Sequence, residues 1–321
     1  MNLLVVGGAG YVGGAVTDLL LDSTHNFRVY DCLLYEEGYR KDVDFVYGDV
    51  RDHALLARHL AWADGVLWLA ALVGDGACQL NPDVSAAINQ ASVEWLAGHY
   101  DGRIVFLSTC SVYGAQDQAV LDEESPVEPL SVYALTKLGA EMALRHKNAS
   151  IFRLGTLFGV GDRFSRLRLD LVVNTLTVRA ARQGRISVFG GDQFRPLLHV
   201  RDAARACLNQ AAGSARGIFN LHRQNVRIID LAYQVRNHFP DLEIDVTPMK
   251  FQDARNYRVS SQQARQQLGF RPECSIDSGI EQVKELVESR RVRDPDNPRY
   301  ANQSYLSRFA THCGVPAALA S

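Results

Sequence analysis

The chain has 321 residues, of which 47% are hydrophobic and 22% are charged, a composition typical of globular proteins that excludes collagenous, coiled-coil and disordered classes. At roughly 150 residues per domain, this length favours two lobes. The 34 Lys and Arg against 36 Asp and Glu give a net charge of -2 at pH 7, so there is no basic excess for binding nucleic acid or an anionic membrane. We therefore expect an anionic partner to be bound by local groups.

Segments that would direct the chain to a membrane or out of the cell are not evident. The longest apolar stretch, Val66–Val73, falls short of the roughly 18 residues that cross a bilayer. Met1 is followed directly by an apolar strand with no basic segment before it, so we expect no secretory signal and a cytoplasmic protein. The six cysteines form no CxxC or Cys/His cluster, which predicts free thiols and no metal site.

Apolar β-rich runs alternate with stretches of helical period along the first half of the chain, which predicts βαβ units. Runs without polar alternation, such as Ile104–Leu107, indicate strands covered by helices on both faces. The predicted fold class is α/β: a Rossmann-like, doubly wound parallel sheet over residues 1–156, with a smaller C-terminal α/β substrate lobe over 157–321. Elements around 186–222 are candidates to return to the N-terminal domain. The tail Arg290–Arg299 has the charged, proline-broken pattern of a surface segment, and its role is not evident from the sequence.

A glycine-rich turn follows the first strand and opens a helix that begins near Tyr11. Gly7, Gly10 and Gly13 permit the tight turn and the close approach of backbone N–H groups to a pyrophosphate at the helix N-terminus. A tight βα turn with no ligand is the alternative. The position directly after strand one favours dinucleotide binding, with contacts expected from Gly7, Gly10, Tyr11, Val12 and Gly13.

Asp31 ends the second strand, 18 residues after Gly13, where a carboxylate accepts hydrogen bonds from the adenosine ribose and repels a 2′-phosphate. Since no Lys or Arg follows it before Arg40, we predict NAD rather than NADP. A solvated strand-end aspartate is the alternative. Asp49 and Val50 follow the third strand and are placed to flank the adenine ring, while Asp52 is suited to cap a helix.

Tyr133 and Lys137 lie four residues apart on a predicted helix and therefore on one face. A phenol keeps its proton to about pH 10, so a tyrosine base needs a neighbouring positive charge, and an ammonium group would lower its pKa. Thr109 ends the fifth strand at the carboxyl edge of the sheet, where its hydroxyl is placed to orient a substrate proton. We predict a catalytic group of Thr109, Tyr133 and Lys137; an amphipathic surface pair is the alternative for the last two.

Together these features resemble the NAD-dependent epimerase/dehydratase family, the extended short-chain dehydrogenases that act on nucleotide sugars. The matching segments are GGAGYVG, GDVRD, LAA, STCSVYG, YALTK, FRLGTLFG, FRPLLHVRDAA and LGFRP. The resemblance implies bound NAD, with further contacts from Leu69, Ala70, Ala71 and Asn89. It also implies a C-terminal lobe that binds a nucleoside diphosphate sugar and a homodimer formed through helices that include the one bearing Tyr133.

Arg195 and Arg255 match positions where the family places arginines against the substrate diphosphate, and a solvated surface arginine is the alternative for each. The segment DRFSRLRLDLVVN is expected where the lobes meet and resembles a branch that includes GDP-heptose 4-dehydrogenases. The predicted substrate contacts are Cys110, Ser111, Arg166, Arg168, Asn174, Arg195 and Arg255. His199 is expected to have a structural role beside Asp202.

The resemblance implies that Tyr133 removes the proton of the sugar 4-hydroxyl during oxidation to a 4-keto sugar. Dehydratases of the family carry Asp and Glu directly after the catalytic Thr, whereas here Cys110 and Ser111 follow it, so dehydration is disfavoured. The predicted activity is epimerisation at C4, and a 4-dehydrogenase that releases the keto sugar is the alternative. A non-catalytic NAD-binding scaffold is a third possibility, disfavoured because Thr109, Tyr133 and Lys137 are all present.

Overall fold

The computed structural model describes residues 1–162, 164, 166–248 and 256–312. The strands are β1 Asn2–Val6, β2 Asn26–Asp31, β3 Asp44–Tyr47, β4 Gly65–Trp68, β5 Arg103–Thr109, β6 Ala115–Leu121, β7 Ala149–Leu154, β8 Thr156–Phe158, β9 Arg185–Phe189, β10 Phe194–His199, β11 Gly217–Leu221, β12 Gln224–Arg227, β13 Glu243–Thr247 and β14 Asn256–Val259. The helices are α1 Tyr11–Leu21, α2 His53–Leu60, α3 Asp75–Gln79, α4 Pro82–Ala86, α5 Ser92–His99, α6 Val132–Leu144, α7 Val172–Gln183, α8 Val200–Ala211, α9 Ile228–Asn237, α10 Gln262–Leu268, α11 Ile276–Glu288 and α12 Asn302–His312. A π-helical turn, Ala87–Ala91, joins α4 to α5.

Seven parallel strands form the main sheet in the order β3-β2-β1-β4-β5-β7-β11. This arrangement confirms the predicted doubly wound fold. The strand order reverses between β1 and β4, and open sheets of this kind bind ligands at the carboxyl ends of the strands beside such a reversal. The topology therefore directs attention to the loops that follow β1, β4 and β5.

Alternate residues of β1 pack into two separate cores, one on each face of the sheet. Leu4 and Val6 join one core, and Leu3 and Val5 join the other. Since helices cover both faces, neither set of side chains reaches solvent, and the strand has no polar alternation. Burial of each such side chain contributes about 1.5–3 kcal/mol to folding.

The described residues also form three small sheets, in the orders β12-β10-β8, β13-β9 and β14-β6. The last of these joins β6 of the first half of the chain to β14 of the second. A third core fills the space between α7, α9 and α11, with Val173, Leu231 and Ile280 at its centre. Strand β11 pairs with β7 in the main sheet. The division of the chain at residue 156 stays a prediction. Along the described ranges, no helix combines the length and apolar content needed to cross a membrane.

Residues 296–306, which we call the C-terminal strap, cross from the later part of the chain to the N-terminal sheet. At one end Asp296 pairs with Arg182 of α7. At the other, Arg299 pairs with Glu36 at 2.9 Å and Leu306 is buried in the core beneath α3. The sequence pattern of a charged surface tail does not reveal this crossing, because each of these contacts joins residues far apart in the chain.

Candidate active site

The glycine turn forms a cradle at the carboxyl end of β1. Gly7 has φ +87°, and a Cβ there would collide with the backbone N of Ala70. A Cβ on Gly13 would collide with the Gly7 carbonyl, so both positions require glycine. Among the described side chains none caps α1, which begins after Gly10, and its first N–H groups are therefore suited to an anion.

Asp31 lies at the rim of this cradle. Its carboxylate accepts hydrogen bonds from Ala9 N at 2.9 Å and Leu33 N at 2.7 Å. Burial raises the pKa of Asp31, and these backbone hydrogen bonds oppose the increase. Lys41 follows ten residues later but is committed elsewhere, with its Nζ 2.7 Å from carboxylate oxygens of both Asp18 and Asp162. Lys41 is therefore not placed to neutralise a 2′-phosphate.

The predicted adenine flank lies at the end of β3. Val50 is buried, while the Asp49 carboxylate binds Arg51 with a shortest distance of 2.7 Å. The Asp49 carbonyl accepts a hydrogen bond from Tyr30 Oη at 2.7 Å. Asp52 caps α2 by accepting from Leu55 N, as expected.

The loop after β4 closes the cradle from the side. Leu69 N and Ala70 N both donate to the Val6 carbonyl, at 2.8 and 2.9 Å, which places Leu69, Ala70 and Ala71 beside Gly7. Asn89 fixes the next residue, Leu72, through both of its backbone polar groups, at 2.8 and 2.9 Å. Asn89 is 1% exposed. It therefore shapes the predicted NAD site by fixing this loop.

The predicted catalytic residues converge at the end of β5. Tyr133 and Lys137 lie on the inner face of α6, and the Thr109 hydroxyl is near enough to Tyr133 to lower the pKa of its phenol. Burial raises the pKa of Tyr133, and the nearby Cys78 and Asp75 add to the increase, whereas Arg168 and the Thr109 hydrogen bond oppose it.

Lys137 is buried behind the tyrosine. Its Nζ donates to the Leu107 carbonyl at 2.7 Å and lies 4.6 Å from the centre of the Phe106 ring. Burial lowers the pKa of Lys137 to about 8. Near neutrality Tyr133 therefore keeps its proton, and Lys137 is close to losing its own.

We expect Lys137→Met to make the nucleotide-free protein more stable at pH 7, by up to about 3 kcal/mol. The lysine pKa falls from 10.5 when unfolded to about 8 when folded, so between these values the unfolded chain binds more protons and stability rises with pH. Below pH 8 the buried ammonium of Lys137 stays charged in the wild type, so the free energy of unfolding is lowered by the full amount. Urea denaturation should show the gap between variant and wild type narrowing from pH 7 to pH 9.5. Lys147→Met, at a partly exposed position, is the control; a gap independent of pH would contradict the prediction.

Arg168 is buried near both Tyr11 of α1 and Tyr133 of α6, because its charge lowers the pKa of each phenol. Its guanidinium makes a two-point ion pair with Asp170, at 2.6 and 3.0 Å. Asn174 accepts from Gly159 N at 2.9 Å and donates to the Arg168 carbonyl at 2.7 Å. The structure thus brings Arg168 to the site and gives Asn174 the task of fixing the loop that carries it.

Three other predicted substrate residues have different surroundings. Cys110 is fully buried, and its thiol donates to the Arg153 carbonyl at 3.2 Å, so the structure does not bring this side chain to the site. Ser111 follows in the same turn, and its N–H donates to Thr109 Oγ1 at 3.1 Å. Arg195 is buried on β10, with Nη1 bonded to the Phe194 carbonyl at 2.8 Å.

Arg255 lies outside the described residues. The residue after it, Asn256, accepts a hydrogen bond from Phe194 N at 2.8 Å, so β14 runs beside the start of β10. His199 is buried, accepts from Arg201 N at 3.1 Å and lies 2.9 Å from Gln282 Oε1. These contacts are consistent with the structural role expected for His199.

Three residues near the site were not selected from the sequence: Asp75, Tyr35 and Asn302. Asp75 accepts from Ser131 Oγ at 2.7 Å, beside the start of α6, and its charge acts on Tyr133. Its position in the loop after β4 was a usable signal, because loops at the carboxyl edge of the sheet carry ligand contacts. Tyr35 and Asn302 lie in no motif, so the sequence held no comparable signal for them.

Comparison with known proteins identifies consistent relatives. The model of the NAD dependent epimerase/dehydratase family matches residues 3–221. A UDP-glucose 4-epimerase of Streptomyces lividans is 30% identical over 302 residues, which cover 84% of this chain and 91% of the relative. A dTDP-glucose 4,6-dehydratase of Streptomyces niveus is 26% identical and covers 91% of this chain and 94% of the relative. Among solved structures, the UDP-glucose 4-epimerase of Thermotoga maritima with UDP-glucose shares the fold, with a TM-score of 0.78 at 23% identity, over 90% of this chain and 99% of that one.

Proposed function

Because this chain belongs to the NAD-dependent epimerase/dehydratase family, we propose that it is a nucleotide-sugar 4-epimerase. It is an NAD-dependent enzyme of the extended short-chain dehydrogenase type. The observation that carries the proposal is the convergence of Thr109, Tyr133 and Lys137 at the end of β5, in the sheet whose strand β1 carries the glycine cradle, with the charge of Arg168 acting on Tyr133. Curated relatives named UDP-glucose 4-epimerase support it.

The residues around the glycine cradle fit NAD. Gly7 and Gly13 leave no room for side chains, and the uncapped start of α1 suits a diphosphate. Asp31 would accept hydrogen bonds from the adenosine ribose, and Tyr133 and Lys137 would face the nicotinamide. When bound, NAD supplies the acceptor and donor of hydride for the sugar carbon.

In the proposed mechanism Tyr133 Oη takes the proton from the sugar 4-hydroxyl. Thr109 orients that hydroxyl through its hydrogen bond to the tyrosine. Since burial disfavours the tyrosinate, positive charge must stabilise it, and Arg168 provides part of that charge. Tyr133 returns the same proton to the oxygen once the sugar has turned its other face. Because NAD, when bound, would give back the hydride that it accepted, the reaction would have no net redox change.

The structure offers no acid and base at the two positions that follow the catalytic threonine. Burial raises the pKa of Cys110, and its thiol is bonded to a carbonyl in the core. Ser111 is a neutral hydroxyl. A reaction that expels the 6-hydroxyl needs a proton donor and acceptor beside C5 and C6. This absence at residues 110 and 111 supports epimerisation over dehydration.

Proton NMR of the NAD-loaded protein with UDP-, GDP-, dTDP-, CDP- and ADP-sugars tests the proposal. Inversion at C4 without any added acceptor is the expected result. A 4-keto product that forms only when a 2-oxo acid recycles NADH would replace the epimerase with a 4-dehydrogenase. No turnover of any sugar would favour the scaffold alternative.

We also propose a homodimer formed through helices that include α6, in the cytoplasm. Leu135 and Met142 lie seven residues apart on the outer face of α6 and are 54% and 70% exposed. Exposed apolar side chains on one helix face suit burial against a second copy. Light scattering should give a mass of about twice the 35.6 kDa of one chain, and Met142→Glu should reduce the measured mass toward that of a single chain. A monomer for the unaltered chain would contradict the proposal.

A further inference from the structure

Arg166 and Tyr35 form a buried pair beside Asn302 of the C-terminal strap. The Arg166 guanidinium stacks on the Tyr35 ring, with Cζ 3.4 Å from the ring centre. Arg166 is 4% exposed. Within the described ranges, neither Arg166 Nη1 nor Tyr35 Oη has a hydrogen-bond partner, although both atoms are buried. Buried polar groups are rarely left unpaired, so two adjacent ones indicate a missing acceptor.

The C-terminal strap fixes the direction of this pair. Asn302 Oδ1 accepts from Arg166 Nη2 at 2.5 Å, and Asn302 Nδ2 donates to the Val73 carbonyl at 2.7 Å. Asn302 N donates to Asp170 Oδ2 at 3.0 Å. A single residue thus joins the loop after β4 to the arginine-rich loop. Because Nη2 already donates to Asn302, the guanidinium of Arg166 can donate to a ligand only through its remaining N–H groups, which include those of Nη1.

The charges around the pair favour an anion. Burial lowers the pKa of Arg166 to about 10, so it remains a cation at neutral pH. The nearby carboxylates already have partners: Asp170 pairs with Arg168, and Glu36 pairs with Arg299. A buried cation whose neighbouring carboxylates are committed attracts a further negative group.

We propose that Arg166 Nη1 and Tyr35 Oη form a two-donor site for a phosphate oxygen of a bound nucleotide, positioned by Asn302. Tyr35 lies in the loop after β2, four residues after Asp31, and Arg166 lies two residues before Arg168, so the pair adjoins residues predicted to bind NAD and substrate. Guanidinium groups bind phosphate oxygens with charge-assisted hydrogen bonds. The inference rests on the proposed function, in which both NAD and the nucleotide sugar carry a diphosphate.

Tyr35→Phe tests this site, because it removes only the unpaired hydroxyl. Calorimetric titrations would use NAD with nucleotide-free protein, and UDP, GDP and dTDP with NAD-loaded protein; uridine and guanosine serve as probes without phosphate. Loss of a hydrogen bond to a charged group raises Kd by about 10- to 150-fold. We expect this increase either for NAD or for the nucleoside diphosphates, but not for both, and the ligand affected is the one whose phosphate occupies the site. The Kd values of the nucleosides should not change. Tyr233→Phe, exposed on α9, is the matched control.

A purely structural role predicts a different pattern. Since the Tyr35 hydroxyl has no partner among the described residues, its removal should leave Tm unchanged, so a loss of affinity at unchanged Tm supports the site. Arg166→Lys keeps the charge but loses the fork and should weaken the same ligand. Unaltered Kd values for NAD and all the diphosphates in both variants would overturn the inference alone. A wild-type protein that binds none of the probes would overturn the proposed function as well.

Discussion

Tyr133→Phe should lower the turnover of the preferred nucleotide sugar by about 10²- to 10⁴-fold, the range that general acid–base groups contribute. The substitution deletes one oxygen from a buried ring and leaves the packing of α6 in place. Thr109 would keep its backbone partner Ser111 N but lose the tyrosine hydroxyl that relays the proton. The measurement is the initial rate of C4 inversion by NMR.

Bound NAD separates loss of chemistry from loss of the site. The glycine cradle and Asp31 do not involve the Tyr133 hydroxyl, so the variant should retain its NAD, as measured by absorbance after denaturation. Tyr47→Phe removes a hydroxyl from a ring that is 67% exposed and serves as the control. Turnover that survives in Tyr133→Phe at the wild-type rate would eliminate the mechanism.

The pH dependence provides a second test of the same residue. A base must lose its proton to act, and burial raises the pKa of Tyr133. The rate of the wild-type enzyme should therefore rise with pH through neutrality. The residual rate of Tyr133→Phe should lack this rise, because its ring has no titrating group.

The features that the sequence predicted well depend on local chemistry. Gly7 and Gly13 fit a turn that excludes any side chain, and the pattern of β1 follows from burial on both faces. Tyr133 and Lys137 share a face because four residues make about one helical turn. Each of these inferences needs only a short window of sequence, and the parallel, doubly wound class of the sheet then follows from βαβ connection rules.

The features that the sequence did not predict depend on contacts between distant segments. Arg166 meets Asn302 across 136 positions, and Arg299 meets Glu36 across 263. No periodicity relates residues so far apart. Cys110 illustrates a different problem, because the turn after β5 directs its thiol into the core. Sequence position alone placed it beside Thr109, whereas backbone direction decides what it contacts.

A buried ion pair beneath the catalytic helix face links stability to the site. Glu141 follows Tyr133 and Lys137 at the same four-residue spacing and binds Arg153 of β7, with a shortest distance of 2.7 Å. Ser108 Oγ donates to the same carboxylate. Burial by itself lowers the pKa of Arg153, but hydrogen bonds and charge from Glu141 outweigh it and raise that pKa. The negative charge of Glu141 also raises the pKa of Lys137 against the effect of burial.

Glu141→Gln should therefore lower the free energy of unfolding by about 3–5 kcal/mol, since it leaves Arg153 as a buried cation without a counter-ion. Urea denaturation at pH 7 measures the loss, and Glu285→Gln, exposed on α11, is the control. Glu141→Gln with Arg153→Met should recover part of it, because the double variant no longer contains the unpaired charge. A loss below about 1 kcal/mol in the single variant would mean that water or a rearranged neighbour compensates Arg153. The negative charge of Glu141 also favours the protonated form of Lys137, so Glu141→Gln should lower the pKa of Lys137 further. This ion pair is therefore connected to proton transfer at Tyr133, two helical turns away on α6.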